Sequence, residues 1–346
     1  MKILIIRVGN IGDVLMSTPF LRKAYQSFPD VTIDFVCSAH GRSMLDKNQF
    51  VRNIFIYNKF KGLSGLIKRY FLIQRLRQEA FDAIFILEDH PQYKEFAYSI
   101  SSKALKVGFS GEGDHWLNQK VDSSKDTHLI LNYLNLLKGA FGISIDPEDL
   151  WMDLALPDWP KNQERLKIHG KYIILHPGTT GYLPLRSWSP EGYAGIIGFL
   201  QHRGFHILIT GQKAHQSMIE ELLSFSKDVP KEKVTCLMDK SLDELIYYIN
   251  GASAVVCSDT GVLHMAMALK VPVLGLFGPS NPAHTGPVGP GRYDVIRNDF
   301  QCGPCNYSSS YRMEDKKNCL DGKPPACMKS ITAEQVITGL KNLLKI

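Results

Sequence analysis

The chain lacks any run of about eighteen consecutive apolar residues, the length that a membrane-spanning helix requires. Its N-terminal stretch, MKILIIRVGNIGD, lacks the small-residue cleavage site of a secretory signal peptide. These two absences predict a protein that stays in the cytoplasm.

Neither sign of charge dominates the composition. The chain has 40 lysines and arginines against 34 aspartates and glutamates, and this formal charge of +6 is modest for 346 residues. Such a balance does not by itself indicate a nucleic-acid partner. A hydrophobic content of 44% with 21% charged residues is typical of a soluble globular protein, and the length predicts two domains rather than one.

Cysteine is sparse and odd in number. Seven cysteines in a chain without an export signal are interpreted as reduced thiols. Four of them cluster late in the sequence, with x2, x13 and x7 spacing, at Cys302, Cys305, Cys319 and Cys327. Only the first pair has the usual spacing of a zinc knuckle, so two interpretations stay open: a structural zinc site, or a loop with buried thiols.

Short apolar runs alternate with helical patterns along the whole chain. Strands are predicted over 2–8, 32–37, 83–87 and 106–109, and again over 172–175, 206–210, 254–257 and 272–277. This succession favours parallel sheets flanked by helices. A proline-bearing stretch, 145–170, is interpreted as the crossing between domains. We therefore predict an α/β protein of two Rossmann-like domains, 1–160 and 161–330, facing each other across a cleft, with a C-terminal helix over 331–346.

The stretch 252–282 carries the clearest functional signal. Its first strand ends at Ser258-Asp259-Thr260-Gly261, and a helix is predicted to begin near Val262, with Thr260 as its N-cap. Ligands of open α/β sheets bind at this carboxyl edge, where a helix N-terminus favours an anion. The pattern predicts a site for a nucleotide diphosphate.

A second polar loop follows the strand predicted over 172–175. It reads HPGTTGYLPLRSW and places Thr179, Thr180 and Arg186 just beyond the strand. Hydroxyls, loop amides and a guanidinium group suit a diphosphate leaving group. The alternative is that Arg186 is a surface residue whose stem covers Trp188.

Asp259 and His264 each allow two interpretations. Asp259 either accepts a hydrogen bond from a sugar or ribose hydroxyl or caps its helix. His264, one turn into that helix, either reaches the phosphates or lies satisfied in the core.

The turn after the first strand is a third candidate. Asp13 falls in the first turn of the following helix, where it serves either as a general base for an acceptor hydroxyl or only to complement the helix dipole. Glu88 and Asp89, at the end of the third predicted strand, are the competing carboxylates. The same turn resembles a dinucleotide fingerprint, but Arg7 stands where its first glycine is required.

Residues 59–77 contain basic residues and no acidic ones. Leucine, isoleucine and aromatic side chains share one helical face in this stretch. One interpretation is a surface that meets an anionic membrane or an anionic acceptor. The other is an ordinary amphipathic helix that packs on the sheet. The basic residues are Lys59, Lys61, Lys68, Arg69, Arg75 and Arg77.

Taken together, these motifs resemble one family. They are Arg7-x-Gly-Asn-Ile-Gly-Asp13, His176-Pro-Gly-Thr-Thr180 with Arg186-Ser-Trp188, and Ser258-Asp-Thr-Gly-x-x-His264 followed by Phe277-Gly-Pro-Ser-x-Pro282. In this order, across both halves, they look like the bacterial ADP-heptose:lipopolysaccharide heptosyltransferases, glycosyltransferase family nine.

The resemblance implies a GT-B fold, with the acceptor on the N-terminal domain and ADP-heptose on the C-terminal one. It implies inversion at the anomeric carbon without a catalytic metal or other cofactor, and the sequence has no D-x-D motif. It further implies peripheral association with the inner face of the cytoplasmic membrane, where the anionic lipopolysaccharide core is the acceptor, and no nucleic-acid partner.

Carried over by position, Asp13 is the base. The implied donor-binding residues are Thr179, Thr180, Arg186, Asp259, Thr260, Gly261 and His264, and the implied acceptor-binding residues are Arg7, Lys61, Lys68 and Arg69. Two functions of other classes remain as alternatives: an NAD-linked oxidoreductase that uses the Gly9 turn, and a non-catalytic protein that binds a nucleotide sugar.

Overall fold

The computed structural model of the chain describes residues 1–58, 62–159, 168–178, 184–226, 230–305, 319 and 325–346. The chain divides into two compact units, Met1–Ala155 and Leu156–Ile346. In the part of the chain that the structure describes, none of the helices combines the length and the hydropathy needed to span a bilayer.

The first unit is built on a parallel sheet of six described strands: β1 (Lys2–Ile6), β2 (Thr32–Cys37), β3 (Asn53–Ile56), β4 (Ala83–Ile86), β5 (Leu105–Phe109) and β6 (Gln119–Val121). The helices are α1 (Ile11–Leu15), α2 (Thr18–Ser27), α3 (Ala39–Arg42), α4 (Gly62–Gln78), α5 (Pro91–Ile100) and α6 (Leu129–Phe141). The strand order is β3-β2-β1-β4-β5-β6. Because the order reverses between β1 and β4, the crossovers leave these two strands in opposite directions and open a crevice at their carboxyl ends.

The second unit repeats this plan. Its strands are β7 (Tyr172–His176), β8 (His206–Gly211), β9 (Val234–Met238), β10 (Ala254–Ser258), β11 (Val273–Leu276) and β12 (Tyr293–Ile296). Its helices are α7 (Pro190–His202), α8 (Gln216–Phe225), α9 (Leu242–Asn250), α10 (Gly261–Ala268), α11 (Pro282–Thr285), α12 (Ala326–Lys329) and α13 (Ala333–Leu344). The order β12-β11-β10-β7-β8-β9 again reverses once, between β7 and β10.

Both sheets have the strand order of a Rossmann fold, so the predicted α/β architecture of two Rossmann-like halves is confirmed. The central strands are buried along most of their length, as their unbroken apolar runs predict, and β4 and β10 expose no residue.

The C-terminal helix belongs to the core of the second unit. Val336, Leu340 and Leu343 of α13 are buried in the same apolar cluster as Leu274 of β11. Thr332 caps α13, because its side chain accepts a hydrogen bond from the backbone N–H of Gln335.

Candidate functional site

The crevice of the first sheet holds an arginine between two carboxylates. Arg7 follows β1 and Glu88 lies just beyond β4, while Asp13 lies in α1. The Nη2 atom of Arg7 is 2.8 Å from Oδ1 of Asp13, and its Nη1 atom is 2.5 Å from Oε2 of Glu88. One guanidinium group therefore bridges both acidic side chains.

Backbone amides hold the remaining carboxylate oxygens. The N–H of Asn10 donates to Oδ2 of Asp13 at 2.7 Å, and the N–H of Val8 donates to Oε1 of Glu88 at 2.7 Å. A Cβ atom at Gly9 would lie 2.5 Å from Oδ2 of Asp13, so a side chain at this position would displace the carboxyl group. The glycine of this turn makes room for Asp13 in the described structure.

Tyr133 of α6 covers Arg7 in the buried interior of the first unit. The guanidinium carbon lies 5.7 Å from the centre of the tyrosine ring. Burial lowers the pKa of Arg7, but the nearby Asp13, Tyr133 and Glu88 outweigh it and raise this pKa well above the ordinary value. Burial raises the pKa of Tyr133. At physiological pH, Arg7 is therefore a cation and Tyr133 is neutral.

In the second unit, Arg186 lies against Asp259 at the carboxyl end of β10. Its Nη1 atom is 3.1 Å from Oδ2 of Asp259 and donates to the carbonyl oxygen of the same residue at 3.0 Å. The hydroxyl of Thr285 also donates to Oδ2, at 3.3 Å. Trp188 is buried elsewhere, with its Nε1–H donating to the carbonyl of Ile331. Arg186 is thus an internal ion-pair partner rather than a surface side chain over Trp188.

The Asp259 carboxyl group remains ionised although it is almost fully buried. Burial raises its pKa, but the imidazole of His264, whose Nε2 atom is 3.8 Å from Oδ1, and the charge of Arg186 outweigh burial and hold the pKa below the ordinary value. Within the described residues, several buried side-chain atoms at this edge of the sheet have no hydrogen-bond partner, among them Nε of Arg186, Nδ1 of His264 and Oγ1 of Thr260. Unpaired buried polar atoms are rare in native proteins. An anionic ligand would satisfy the Nε–H of Arg186, whereas it could pair with Nδ1 of His264 only where that nitrogen is a donor.

Helix α10 starts directly beside this cluster. Gly261 is its first residue and Thr260 occupies the N-cap position, but the Thr260 side chain makes no capping hydrogen bond. Asp259 is bound to Arg186 and not to a helix amide, so neither residue caps α10 through its side chain. Amides of the first turn of a helix have no partner within the helix, which suits an anion at this edge of the sheet.

The loops after β7 and β8 pack on each other. A Cβ atom at Gly178 would lie 2.2 Å from Nδ1 of His215, so the two loops touch where this glycine stands. Nδ1 of His176 lies 2.8 Å from Oγ1 of Thr210. Burial, with the nearby His215, lowers the pKa of His176 to about 4, and the Thr210 contact offsets this only in part. His176 is therefore neutral at physiological pH.

The remaining predicted site residues are spread over the chain. Thr179, Thr180 and Lys61 lie outside the described residues. On α4, Lys68 is exposed, whereas Arg69 forms an ion pair with Glu95. The structure therefore brings together Arg7 with Asp13, and Arg186 with Asp259, Thr260, Gly261 and His264. It does not place Lys68 or Arg69 in either cluster.

In the described part of the chain, the clustered cysteines form no disulfide bond. The Sγ atom of Cys305 lies 4.0 Å from the carbonyl oxygen of Pro279, and a Cβ atom at Gly278 would lie 2.9 Å from the Sγ atom of Cys327. Both thiols thus border the loop after β11. Over the residues with described positions, no three histidine, cysteine or acidic side chains are arranged to hold a metal ion.

Sequence reasoning missed several partners of these clusters. Tyr133 and Thr285 are distant in sequence from the residues that they contact, and His215 follows a strand without a recognisable motif. The sequence indicates Glu88 only as a competing base. Its contact with Arg7 follows from the pairing of β1 with β4, which places the two residues at neighbouring strand ends. The position of Glu88 immediately after a central strand is the signal that could have indicated it.

Comparison with known proteins identifies the family of the chain. A family profile described as glycosyltransferase family 9 (heptosyltransferase) matches residues 69–314. Lipopolysaccharide heptosyltransferase 1 of Pseudomonas aeruginosa is 36% identical over 99% of this chain and 98% of its own length.

Two solved structures share the fold. ADP-heptose lipopolysaccharide heptosyltransferase II of E. coli superposes with a TM-score of 0.78 at 22% identity, covering 100% of this chain and 99% of that one. A second E. coli heptosyltransferase, solved with ADP-2-deoxy-2-fluoro heptose, has a TM-score of 0.75 at 19% identity and covers 99% of both chains.

The two Rossmann-like units and these matches define a glycosyltransferase of the GT-B fold. The chain belongs to glycosyltransferase family 9, the heptosyltransferase family. The resemblance predicted from the three motifs is confirmed, and the chain is an enzyme of the glycosyltransferase class rather than an NAD-linked oxidoreductase.

His176 makes the stability of the second unit depend on pH. Its pKa is about 4 in the folded chain and about 6.5 in an unfolded one. Between these values the unfolded state binds a proton that the folded state does not, so the free energy of unfolding falls as the pH drops through this window. At about 1.4 kcal/mol per pH unit, we expect up to about 3 kcal/mol from this residue. Urea unfolding at pH 7 and near pH 4.5 should show a smaller loss for His176→Gln than for the wild type.

The exposed His202 provides the control. His202→Gln should keep the pH dependence of the wild type. Burial also lowers the pKa of His206, so this residue adds to the loss of stability in acid equally in every variant. If wild type and His176→Gln lost the same stability in acid, the neutral buried state of His176 would be wrong.

Proposed function

We propose that the protein is an inverting glycosyltransferase that moves a heptose from ADP-heptose to the inner core of lipopolysaccharide. The observation that carries the proposal is the cluster of Arg186, Asp259 and His264 at the carboxyl end of β10, in a chain of the heptosyltransferase family. The names of the relatives support the substrates: the Pseudomonas protein is a lipopolysaccharide heptosyltransferase, and the E. coli enzyme was solved with an analogue of ADP-heptose.

The second unit would bind the donor. Arg186, held by Asp259, would direct its positive charge at the diphosphate, which gains negative charge as the bond to the sugar breaks. The first amides of α10, at Gly261 and beyond, face the same edge of the sheet and would contact the phosphates. Thr260 and His264 would add hydrogen bonds from this side, and Thr179 and Thr180 from the loop after β7.

The first unit would bind the acceptor and activate it. In an inverting transfer, the acceptor hydroxyl attacks the anomeric carbon and loses its proton while ADP leaves. Asp13 would take this proton as the general base, a role that commonly contributes about 10²–10⁴ in rate. Its carboxyl group is 27% exposed at the side chain and is oriented by Arg7 and the Asn10 amide, so an approaching hydroxyl can reach it. Lys61 and Lys68 would attract the anionic acceptor, whereas the charge of Arg69 is offset by Glu95 and that of Arg7 by Asp13 and Glu88.

Release of ADP tests this function directly. Incubation with ADP-heptose and a Kdo-bearing lipid A acceptor should release ADP. Asp13→Asn keeps the side-chain volume but cannot accept the proton, so we expect kcat to fall by at least about a hundredfold. Donor binding, measured by calorimetry with ADP, should stay unchanged because Asp13 lies in the other unit from the donor cluster.

The outcomes of this experiment separate the alternatives. Binding of ADP-heptose without release of ADP would indicate a non-catalytic binding protein. Release of ADP by fully active Asp13→Asn would leave the transferase reaction in place but remove Asp13 from the role of base.

Arg186→Met tests the donor site. The substitution removes the cation from the cluster, and charge-assisted hydrogen bonds contribute about 1.5–3 kcal/mol, so we expect the affinity for ADP to fall by at least about tenfold. Arg186→Lys keeps the charge and should lose less. Calorimetry with ADP measures the affinity of both variants. Because Arg186→Met leaves the buried Asp259 carboxylate without its cation, circular dichroism checks that the second unit still folds.

The exposed Arg203 of the same unit offers a matched substitution. Arg203 lies between α7 and the start of β8, whereas the Arg186 cluster lies at the carboxyl end of β10. Arg203→Met therefore removes the same charge at the opposite edge of the sheet, and this variant should bind ADP like the wild type. Equal affinities of Arg186→Met and the wild type would place the diphosphate elsewhere.

Helix α4 supports peripheral association with the membrane in which the acceptor is embedded. Gly65, Ile73 and Leu76 are buried on one side of this helix. The opposite side, at helical spacing, exposes five large apolar side chains to solvent: Leu63, Leu66, Ile67, Tyr70 and Phe71. The helix is thus apolar on two faces, it exposes Lys68, and it contains no acidic residue. This combination fits an anionic lipid surface.

Cosedimentation with vesicles checks the membrane association. The wild type should bind phosphatidylglycerol vesicles more strongly than phosphatidylcholine vesicles. The double substitution Leu66→Ser with Phe71→Ser removes apolar area that would enter the lipid interface, so it should weaken binding by at least about tenfold. Leu223→Ser with Phe225→Ser changes two exposed apolar side chains of α8 and serves as the control. Equal binding of the two double variants would exclude α4 as the membrane contact.

A further inference from the structure

The proposed base shares its arginine with a second carboxylate for which the proposed chemistry has no use. Asp13 and Glu88 occupy the two Nη atoms of Arg7, at 2.8 and 2.5 Å. The Glu88 side chain is only 14% exposed, against 27% for that of Asp13. Because Glu88 is the more enclosed of the two, it is the less suited to receive a proton from an acceptor.

The sheet fixes Glu88 on its side of the arginine. Strands β1 and β4 are paired in parallel, with Ile6 beside Ile86, so Arg7 and Glu88 follow neighbouring strand ends. The N–H of Val8 donates to Oε1 of Glu88, which leaves Oε2 directed at Arg7. The position of Glu88 therefore depends on main-chain geometry and not on a flexible loop.

The orientation of Arg7 in turn depends on these carboxylates. Within the described part of the chain, its buried Nε atom has no hydrogen-bond partner. The Tyr133 ring covers the guanidinium group, and the two acidic side chains contact its ends. Since the guanidinium group is planar and rigid, a contact at Nη1 sets the direction of Nη2.

We propose that Glu88 is a positioning residue for the transfer reaction: acting through Arg7, it directs the Asp13 carboxyl group at the acceptor hydroxyl. The inference rests on the proposed role of Asp13 as base. Glu88 also shares the positive charge of Arg7. Without this second carboxylate, the guanidinium group of Arg7 either rotates and no longer orients Asp13, or it pairs with Asp13 alone and makes Asp13 a weaker base. Both effects slow proton transfer.

Glu88→Gln isolates the ionic contact. The carbonyl oxygen of the glutamine can still accept the hydrogen bond from the N–H of Val8. Its NH₂ group then faces Arg7, and because both groups are donors, the contact with the guanidinium group is lost. We expect kcat to fall by at least about tenfold with the KM for ADP-heptose within about twofold, because the substituted residue lies outside the donor-binding unit. Glu88→Asp restores the charge and should recover part of the rate.

Glu148 supplies a matched control. It lies in the same unit, it carries the same carboxyl group, and it is exposed. Glu148→Gln makes the same substitution on the surface and should keep kcat within about twofold of the wild type. Melting temperatures of all variants show whether each remains folded.

A double-mutant cycle distinguishes positioning from a structural role. If Glu88 acts only through Asp13, then Glu88→Gln should have no further effect on the residual kcat of Asp13→Asn. A further loss as large as the loss in the wild-type background would overturn the proposal, as would full activity of Glu88→Gln. If instead Asp13→Asn were fully active, the assignment of the base would fail first, and the role of Glu88 with it.

Discussion

The single reversal of strand order in each sheet is the constraint on which the rest of the structure depends. In the first unit it places the ends of β1 and β4 side by side, and in the second unit the ends of β7 and β10. The chain leaves such neighbouring strands toward opposite faces, which keeps the space above their carboxyl ends free of crossovers. Arg7 and Glu88 border this space in one unit, and Arg186 and Asp259 border it in the other.

Both clusters pair arginine with buried or half-buried carboxylates, but they balance the charges differently. Arg7 meets two acidic side chains, so this group of three carries a net negative charge, which suits the acceptance of a proton. Arg186 meets one carboxylate and keeps a buried Nε–H without a partner among the described residues, while the start of α10 lies beside it. This second arrangement suits an anion, because helix amides add positive potential at the same edge. The difference in charge gives each unit its own task in the proposed reaction.

The sequence predicts the central strands of each sheet but not the edge strands. The strands that were not predicted are β3, β6, β9 and β12, which are the outermost strands of the two sheets. Their residues are mostly half-exposed, so they lack the unbroken apolar runs that indicate central strands.

The site shows the same limit. Asp13 and Arg186 are identified from local motifs, whereas the contact of Glu88 with Arg7 joins residues that are far apart in the chain. Local patterns do not contain such pairings; the strand order creates them.

The placement of α13 also affects how the chain acquires its structure during synthesis. The core of the first unit is complete by Ala155, so this unit can fold while the ribosome is still translating the remainder. The second unit takes Val336, Leu340 and Leu343 of α13 into its core, so its strands and earlier helices do not complete that core by themselves. Its core therefore closes only after α13 has been made, and the sheet without this helix is the form that chaperones would meet.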